Sequence, residues 1–156
     1  MKYMGTLIIV KDMERARRFY TDLMGLEVIS DFGANVGFAG GISLQTADTW
    51  VMFIQKRIED VSFNNNASEL YFETDDIDSF VKKLGSLKVS CLHPLIEHPW
   101  GQKGIRFYDP DGHVIEVSEN LSITTKRFLD SGMTVEETAA RMGVPVEYVK
   151  HMLQGA

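Results

Sequence analysis

The chain carries two copies of one folding unit, and this limits its architecture more than any other feature. An offset of 64 carries Gly5 onto Glu69, Asp12 onto Asp76, Met13 onto Ile77, Ala16 onto Phe80 and Tyr20 onto Leu84. An offset of 71 carries Gly41-Ile42-Ser43-Leu44-Gln45 onto Gly112-His113-Val114-Ile115-Glu116. Each copy reads as a strand, a helix and further strands. Neither copy covers its own sheet, so two of them are expected to share one core. The expected fold is α+β: two βαβββ modules, residues 1–47 and 67–120, joined by a bridging segment, 48–66, and forming a curved mixed sheet around a cup. Together they make one domain over 1–120, and residues 121–156 are expected as a C-terminal helical extension. The crevice where the modules meet is the natural place for a small-molecule site.

Local pattern assigns the elements. Gly5 to Val10 is a β-rich run, and Asp12 caps a helix with Met13, Ala16, Phe19, Tyr20 and Leu23 on one face, closed by Gly25. Leu26–Ser30, Asn35–Ala39 and Ile42–Thr46 read as strands, and Thr49 opens a short helix whose Trp50, Phe53 and Ile54 read mainly as packing. Glu69–Thr74 starts the second module. Asp75 or Asp76 caps its helix, with Ile77, Phe80, Val81 and Leu84 inward. Lys88–Leu92 reads as a strand and His93–Gly101 as an irregular loop pinned by Pro94 and Pro99. Gly104–Tyr108 and His113–Ser118 are the last strands, joined by an Asp-Pro-Asp-Gly turn. In the tail, Thr125–Leu129 reads as helical. Thr134 and Glu137 form a capping box, Gly143 is a helix stop, and Pro145 suits a first helical turn.

Composition narrows the function. A net charge of −6 argues against nucleic-acid partners and against docking on an anionic membrane. No apolar run approaches the ~20 residues of a bilayer span. The opening MKYMGTLIIV runs straight into charge with no cleavage region, and the single Cys91 cannot form an internal disulfide, so a cytoplasmic location is expected. Cys91 lies in a strand-like run and is expected to be packed rather than reactive.

Strand alternation decides which side chains line the cup. Leu70 and Phe72 face the helix, leaving Glu69, Tyr71 and Glu73 on the other side; likewise Ile115 and Val117 leave Glu116 and Ser118. Ile105 and Phe107 pack, leaving Arg106 and Tyr108, and the repeat places Gln45 with them. His98 and Trp100, in the proline-pinned loop, are candidates for a lid, and Phe53 for stacking surface.

These residues carry a resemblance. Val10-Lys11-Asp12-Met13-Glu14 with Arg18-Phe19-Tyr20-Thr21-Asp22-Leu23-Met24-Gly25-Leu26, and Phe107-Tyr108-Asp109-Pro110-Asp111-Gly112-His113 running into Ile115-Glu116-Val117, resemble the vicinal oxygen chelate superfamily. Its members include glyoxalase I, extradiol dioxygenases and bleomycin-resistance proteins. The resemblance covers about residues 3–120 and implies the fold but not the activity. Mapped by motif, the metal-ligand positions of glyoxalase I-like members fall on Gly5, Gln45, Glu69 and Glu116. Glu116 matches, Glu69 stands for a histidine, Gln45 for a glutamate, and Gly5 offers nothing. Glu116, Glu69 and Gln45 would at best hold Mg²⁺ or Mn²⁺ weakly. The metal-free alternative has Glu69 and Glu116 paired with Arg106 or sharing a proton.

The resemblance therefore leaves two principal readings. The first is a small-molecule binder, with Gln45, Tyr71, Arg106, Tyr108, Trp100, His98 and Phe53 contacting the ligand. The second is a divalent-metal lyase or isomerase of lactoylglutathione lyase type, with Glu116 and Glu69 as catalytic carboxylates. An extradiol dioxygenase and a helix-turn-helix regulator, the latter from the spacing of Ala139, Gly143 and Val149, are remote alternatives. A homodimer is expected. His113, in the turn, is expected to be exposed, and His151 has no evident role.

Overall fold

The computed structural model describes residues 1–154. The fold is α+β, with two four-stranded sheets, each accompanied by a helix, and C-terminal helices. The chain divides into two compact units. The first is Met1–Ser68 with Tyr108–Val114; the second is Glu69–Phe107 with the described residues from Ile115 onward.

In the first unit β1 (Thr6–Val10), β2 (Val28–Asp31), β3 (Asn35–Phe38) and β4 (Ile42–Thr46) lie in the order β1-β4-β3-β2. β1 runs parallel to β4, and the other pairs are antiparallel. α1 (Met13–Arg18) is capped by Asp12, whose carboxylate accepts from the Arg15 amide, and it continues into a π-helical turn, Phe19–Leu23. Ala16, Tyr20 and Leu23 are buried, as the apolar spacing requires, and Tyr20 packs between Phe19 and Phe38. α2 (Ala47–Ile54) begins three residues earlier than expected, with Thr46 in the cap position. Thr49 is not its cap, because the Thr49 hydroxyl turns back to the Thr46 carbonyl. Nor is its stripe mainly packing: Phe53 is exposed and Ile54 partly so.

The Asp-Pro-Asp-Gly turn belongs to the first unit, and it folds around one carboxylate. Asp109 Oδ1 accepts from the amides of Asp111 and His113, while Oδ2 accepts from the buried Tyr20 hydroxyl at 2.9 Å. Asp111 accepts from the Lys11 amide and the Arg15 guanidinium. Burial pushes the Asp111 carboxyl above the usual range, and burial first, then Asp109, raises the Tyr20 phenol. His113 is half-buried rather than exposed, its Nε2 2.7 Å from the Ile9 carbonyl oxygen.

In the second unit β5 (Glu69–Thr74), β6 (Ile96–Glu97), β7 (Lys103–Tyr108) and β8 (Val114–Glu119) repeat the same order, β5-β8-β7-β6. α3 (Ile77–Ser86) is capped by Asp76, buries Ile77 and Leu84, and sets Phe80 5.9 Å from Phe107. The expected strand Lys88–Leu92 does not form. Lys88 is left-handed (φ 52°), and only a single bridge, Cys91 to Phe107, remains. Cys91 is exposed, not packed. β6 forms instead inside the segment read as irregular loop, where Ile96 and Glu97 pair with Gly104 and Lys103. Pro94 lies just outside this strand and Pro99 in the following turn, so neither removes a ladder donor.

α4 (Leu121–Asp130), α5 (Val135–Met142) and α6 (Val146–Gln154) complete the second unit. The capping box of Thr134 and Glu137 is formed, Gly143 closes α5, and Phe128, Ala139, Met142 and Val149 are buried. Among the described residues no helix is long and apolar enough to cross a membrane.

Replacing Tyr20 by Phe should leave Asp109 Oδ2 buried without its donor. A loss of about 1–3 kcal/mol in urea unfolding at neutral pH is expected. An unchanged midpoint would show that the turn is not anchored through this bond.

Candidate functional site

The candidate residues divide between the units. In the first, Gln45 is buried on β4, accepts from the Asn35 amide at 2.9 Å and donates to the Thr49 hydroxyl. Phe53 is exposed on α2, and the Tyr108 hydroxyl donates to Asn66 Oδ1 at 2.8 Å. In the second lie Glu69, Tyr71, His98, Trp100, Arg106 and Glu116.

These six gather on one face of the second sheet, built by parity of three neighbouring strands: 69 and 71 on β5, 116 and 118 on β8, 104 and 106 on β7. Arg106 is the centre. Its Nε donates to Glu69 Oε2 at 2.9 Å and its Nη2 to Glu116 Oε2. The Glu116 side chain is only 5% exposed, against 37% for Glu69, so the guanidinium is shared between one buried and one partly exposed carboxylate. The hydrogen bond from Arg106 holds the Glu69 carboxyl below its usual range, and the same bond, with the nearby Glu116 charge, raises the Arg106 guanidinium. Ser118 donates to Glu116 Oε1 at 2.6 Å. His98 Nε2 lies 3.9 Å from that oxygen, too far for a hydrogen bond, and is buried without a partner. A glycine lies beneath this group for steric reasons: a Cβ on Gly104 would sit 2.5 Å from Ser118 Oγ and 3.2 Å from His98 Nε2.

The turn after β6 supplies the aromatic wall. The His98 and Trp100 rings stack with centroids 4.4 Å apart and planes 5° from parallel. Trp100 Nε1 donates to Gln102 Oε1 at 3.0 Å, and Gln102 Nε2 donates to the Tyr71 hydroxyl at 3.0 Å and the Glu119 carbonyl at 2.8 Å. Tyr71 donates in turn to Glu73 at 2.8 Å. Burial, then the Glu73 bond, pushes the Tyr71 phenol up to about 12. The alternation that selects Arg106 also selects Gly104 and Gln102, but the strand read from the sequence begins at Gly104 and does not reach Gln102. Pro99 and Gly101 obscure the start of β7 in the sequence.

Whether these residues fit a divalent metal is decided by two observations. The space between Glu69 and Glu116 is taken by the Arg106 guanidinium, and a cation added there meets a resident cation. Among the described residues no three His, Cys, Asp or Glu side chains converge as a ligand cluster. The set does not fit a divalent ion.

Comparisons with known proteins agree with this fold. Residues 3–122 match the family of glyoxalase-like domains. A protein of unknown function from Agrobacterium tumefaciens is 32% identical over 77% of this chain and 94% of its own, with a TM-score of 0.68. A lactoylglutathione lyase from the same organism is 23% identical over 76% of this chain and 93% of its own, with a TM-score of 0.57. A glyoxalase/bleomycin resistance protein/dioxygenase from Nocardioides is 18% identical over 76% and 83%, with a TM-score of 0.63. No curated protein matches the chain significantly.

Arg106→Met should strand the buried Glu116 charge and cost about 3 kcal/mol at neutral pH. The depressed Glu69 carboxyl contributes stability that is present above the ordinary carboxylate range and lost as pH falls through its folded value. The variant lacks that contribution, so the gap between it and wild type should shrink on acidification. Chemical unfolding of both proteins from neutral to acidic pH checks this; a gap independent of pH contradicts the pairing.

Proposed function

Because this chain belongs to the glyoxalase-like domain family, we propose that it is a small-molecule-binding member that holds its ligand without a metal ion, in the manner of bleomycin-resistance proteins. The Arg106 guanidinium between Glu69 and Glu116 carries this reading. It pairs with both carboxylates at once, and it leaves the group with one net negative charge. The exposed edges of Tyr71 and Trp100 offer flat apolar surface, and Glu69 offers a carboxylate at the rim. A ligand with a planar portion and a hydrogen-bond donor matches that arrangement. Gln45, Tyr108 and Phe53 remain candidate ligand contacts of the first unit. The alternative, a metal-dependent lyase or isomerase with Glu116 and Glu69 as catalytic carboxylates, requires Arg106 to leave first.

Thermal unfolding separates the two. A ligand that binds only the folded state raises the melting temperature by mass action. Millimolar Mg²⁺ or Mn²⁺ should not shift the wild-type transition, whereas a library of small planar compounds should contain members that do. Trp100→Ala should weaken those hits at least tenfold. A metal-induced shift that Glu116→Gln abolishes would establish the lyase-type site instead.

Each sheet ends in open edge strands, β1 and β2 in one and β5 and β6 in the other, which invite pairing between chains. A homodimer is the assembly this reading expects. Light scattering at micromolar concentration should give twice the chain mass; a monomer mass would reject it.

A further inference from the structure

The family match stops at residue 122, and the 32%-identical structure covers 77% of this chain, so α5 and α6 and most of α4 are additional to the matched domain. We infer that this extension is a clamp on the turn between β6 and β7, and that Arg127 and Arg141 are the positioning residues that hold His98 and Trp100 beside Glu116. The inference rests on the binding-site reading above for its functional meaning, but not for its geometry.

β6 is two residues long, and both of them are exposed, so it cannot by itself fix the turn that follows. The turn closes through His98 N–H to the Gln102 carbonyl at 2.9 Å and Gly101 N–H to the His98 carbonyl at 2.8 Å. Its residues then alternate. The even members, His98, Trp100 and Gln102, reach the site. The odd members, Glu97, Pro99 and Gly101, are all held by the extension. Arg127 Nη2 donates to the Gly101 carbonyl at 2.6 Å and to Glu119 Oε2 at 3.1 Å, and its Nη1 reaches Glu97 Oε2 at 3.4 Å. Arg141 donates to the Pro99 carbonyl and lies 3.6 Å from Glu97 Oε1. Both guanidinium groups lie over the Phe128 ring, at 5.2 and 5.8 Å from its centroid. The ring itself fills the place a Gly101 side chain would occupy, and Gly101 has φ of 90°, open to glycine at little cost. Two arginines on two different helices therefore grip one side of the turn while its other side carries the stacked pair. A displacement of α4 or α5 is transmitted to His98 and Trp100 through these backbone carbonyls.

The test reads the stacked pair directly, without a ligand. In a Trp50→Phe background the remaining tryptophan is Trp100. The His98 ring protons should show the upfield ring-current shift that stacking on an indole imposes, and Trp100 should be partly shielded from acrylamide. Arg127→Ala/Arg141→Ala should abolish the His98 shift and raise the acrylamide quenching constant at least twofold, and lysine at both positions should restore part of each. Lys126→Ala, which removes only the exposed pair with Asp130, should change neither. Should the double alanine variant fail to fold, Arg141→Ala alone removes the bond to the Pro99 carbonyl while leaving Arg127 in place, and a partial loss of both signals is expected. A His98 shift and Trp100 shielding unchanged in whichever of the two variants is folded overturns the inference. If the signals change but no compound binds the wild-type protein, the binding-site reading falls and the clamp stands.

Discussion

Everything on the candidate face depends on the charge of one guanidinium. Glu116 is almost wholly buried and hydrogen-bonded to Ser118, and a carboxylate so placed is tolerable only if an opposite charge reaches it. Arg106 reaches it from the neighbouring strand and takes Glu69 with its other edge. The planar fork of the guanidinium suits this double task in a way a lysine ammonium does not. Gly104 leaves room beneath the pair, and His98 is brought close but left unbonded. Polar specificity, stability and the misfit with a divalent ion all follow from that one placement.

Apart from Glu116, the two motifs that carry the resemblance do different work from the site. Asp109 collects the Tyr20 hydroxyl and two turn amides, and Asp111 collects the Lys11 amide and Arg15, so the second motif closes onto the first. These are structural bonds, which explains why such motifs identify a fold shared by enzymes and binders without saying which a given chain is.

Much of this was legible in the sequence because it depends on local periodicity. Caps at Asp12, Asp76 and Thr134, the buried faces of α1 and α3, and the packing of Ile105 and Phe107 are set by spacing alone. What was not legible depends on distant partners. β6 is held by pairing to β7 rather than by its own propensity, whereas Lys88–Leu92 has strand-like residues but a left-handed start and one bridge. His113 looked like an exposed turn residue because nothing local reveals the Ile9 carbonyl beneath it. Phe53 reads as stacking surface from its aromatic ring alone, and it is exposed on α2 of the first unit. The contacts of Arg127 and Arg141 with the turn join residues far apart in sequence, so no local pattern reveals them.

The central claim is that Arg106 is locked between Glu69 and Glu116 as the resident cation. Nitrogen-15 NMR of arginine side chains tests it most directly. The account predicts a resolved, exchange-protected Arg106 Nε–Hε signal at neutral pH that moves when Glu69 is changed to Gln and is indifferent to millimolar Mg²⁺. A signal lost or displaced on adding Mg²⁺ would show a metal driving the guanidinium from the carboxylates, and would contradict the account.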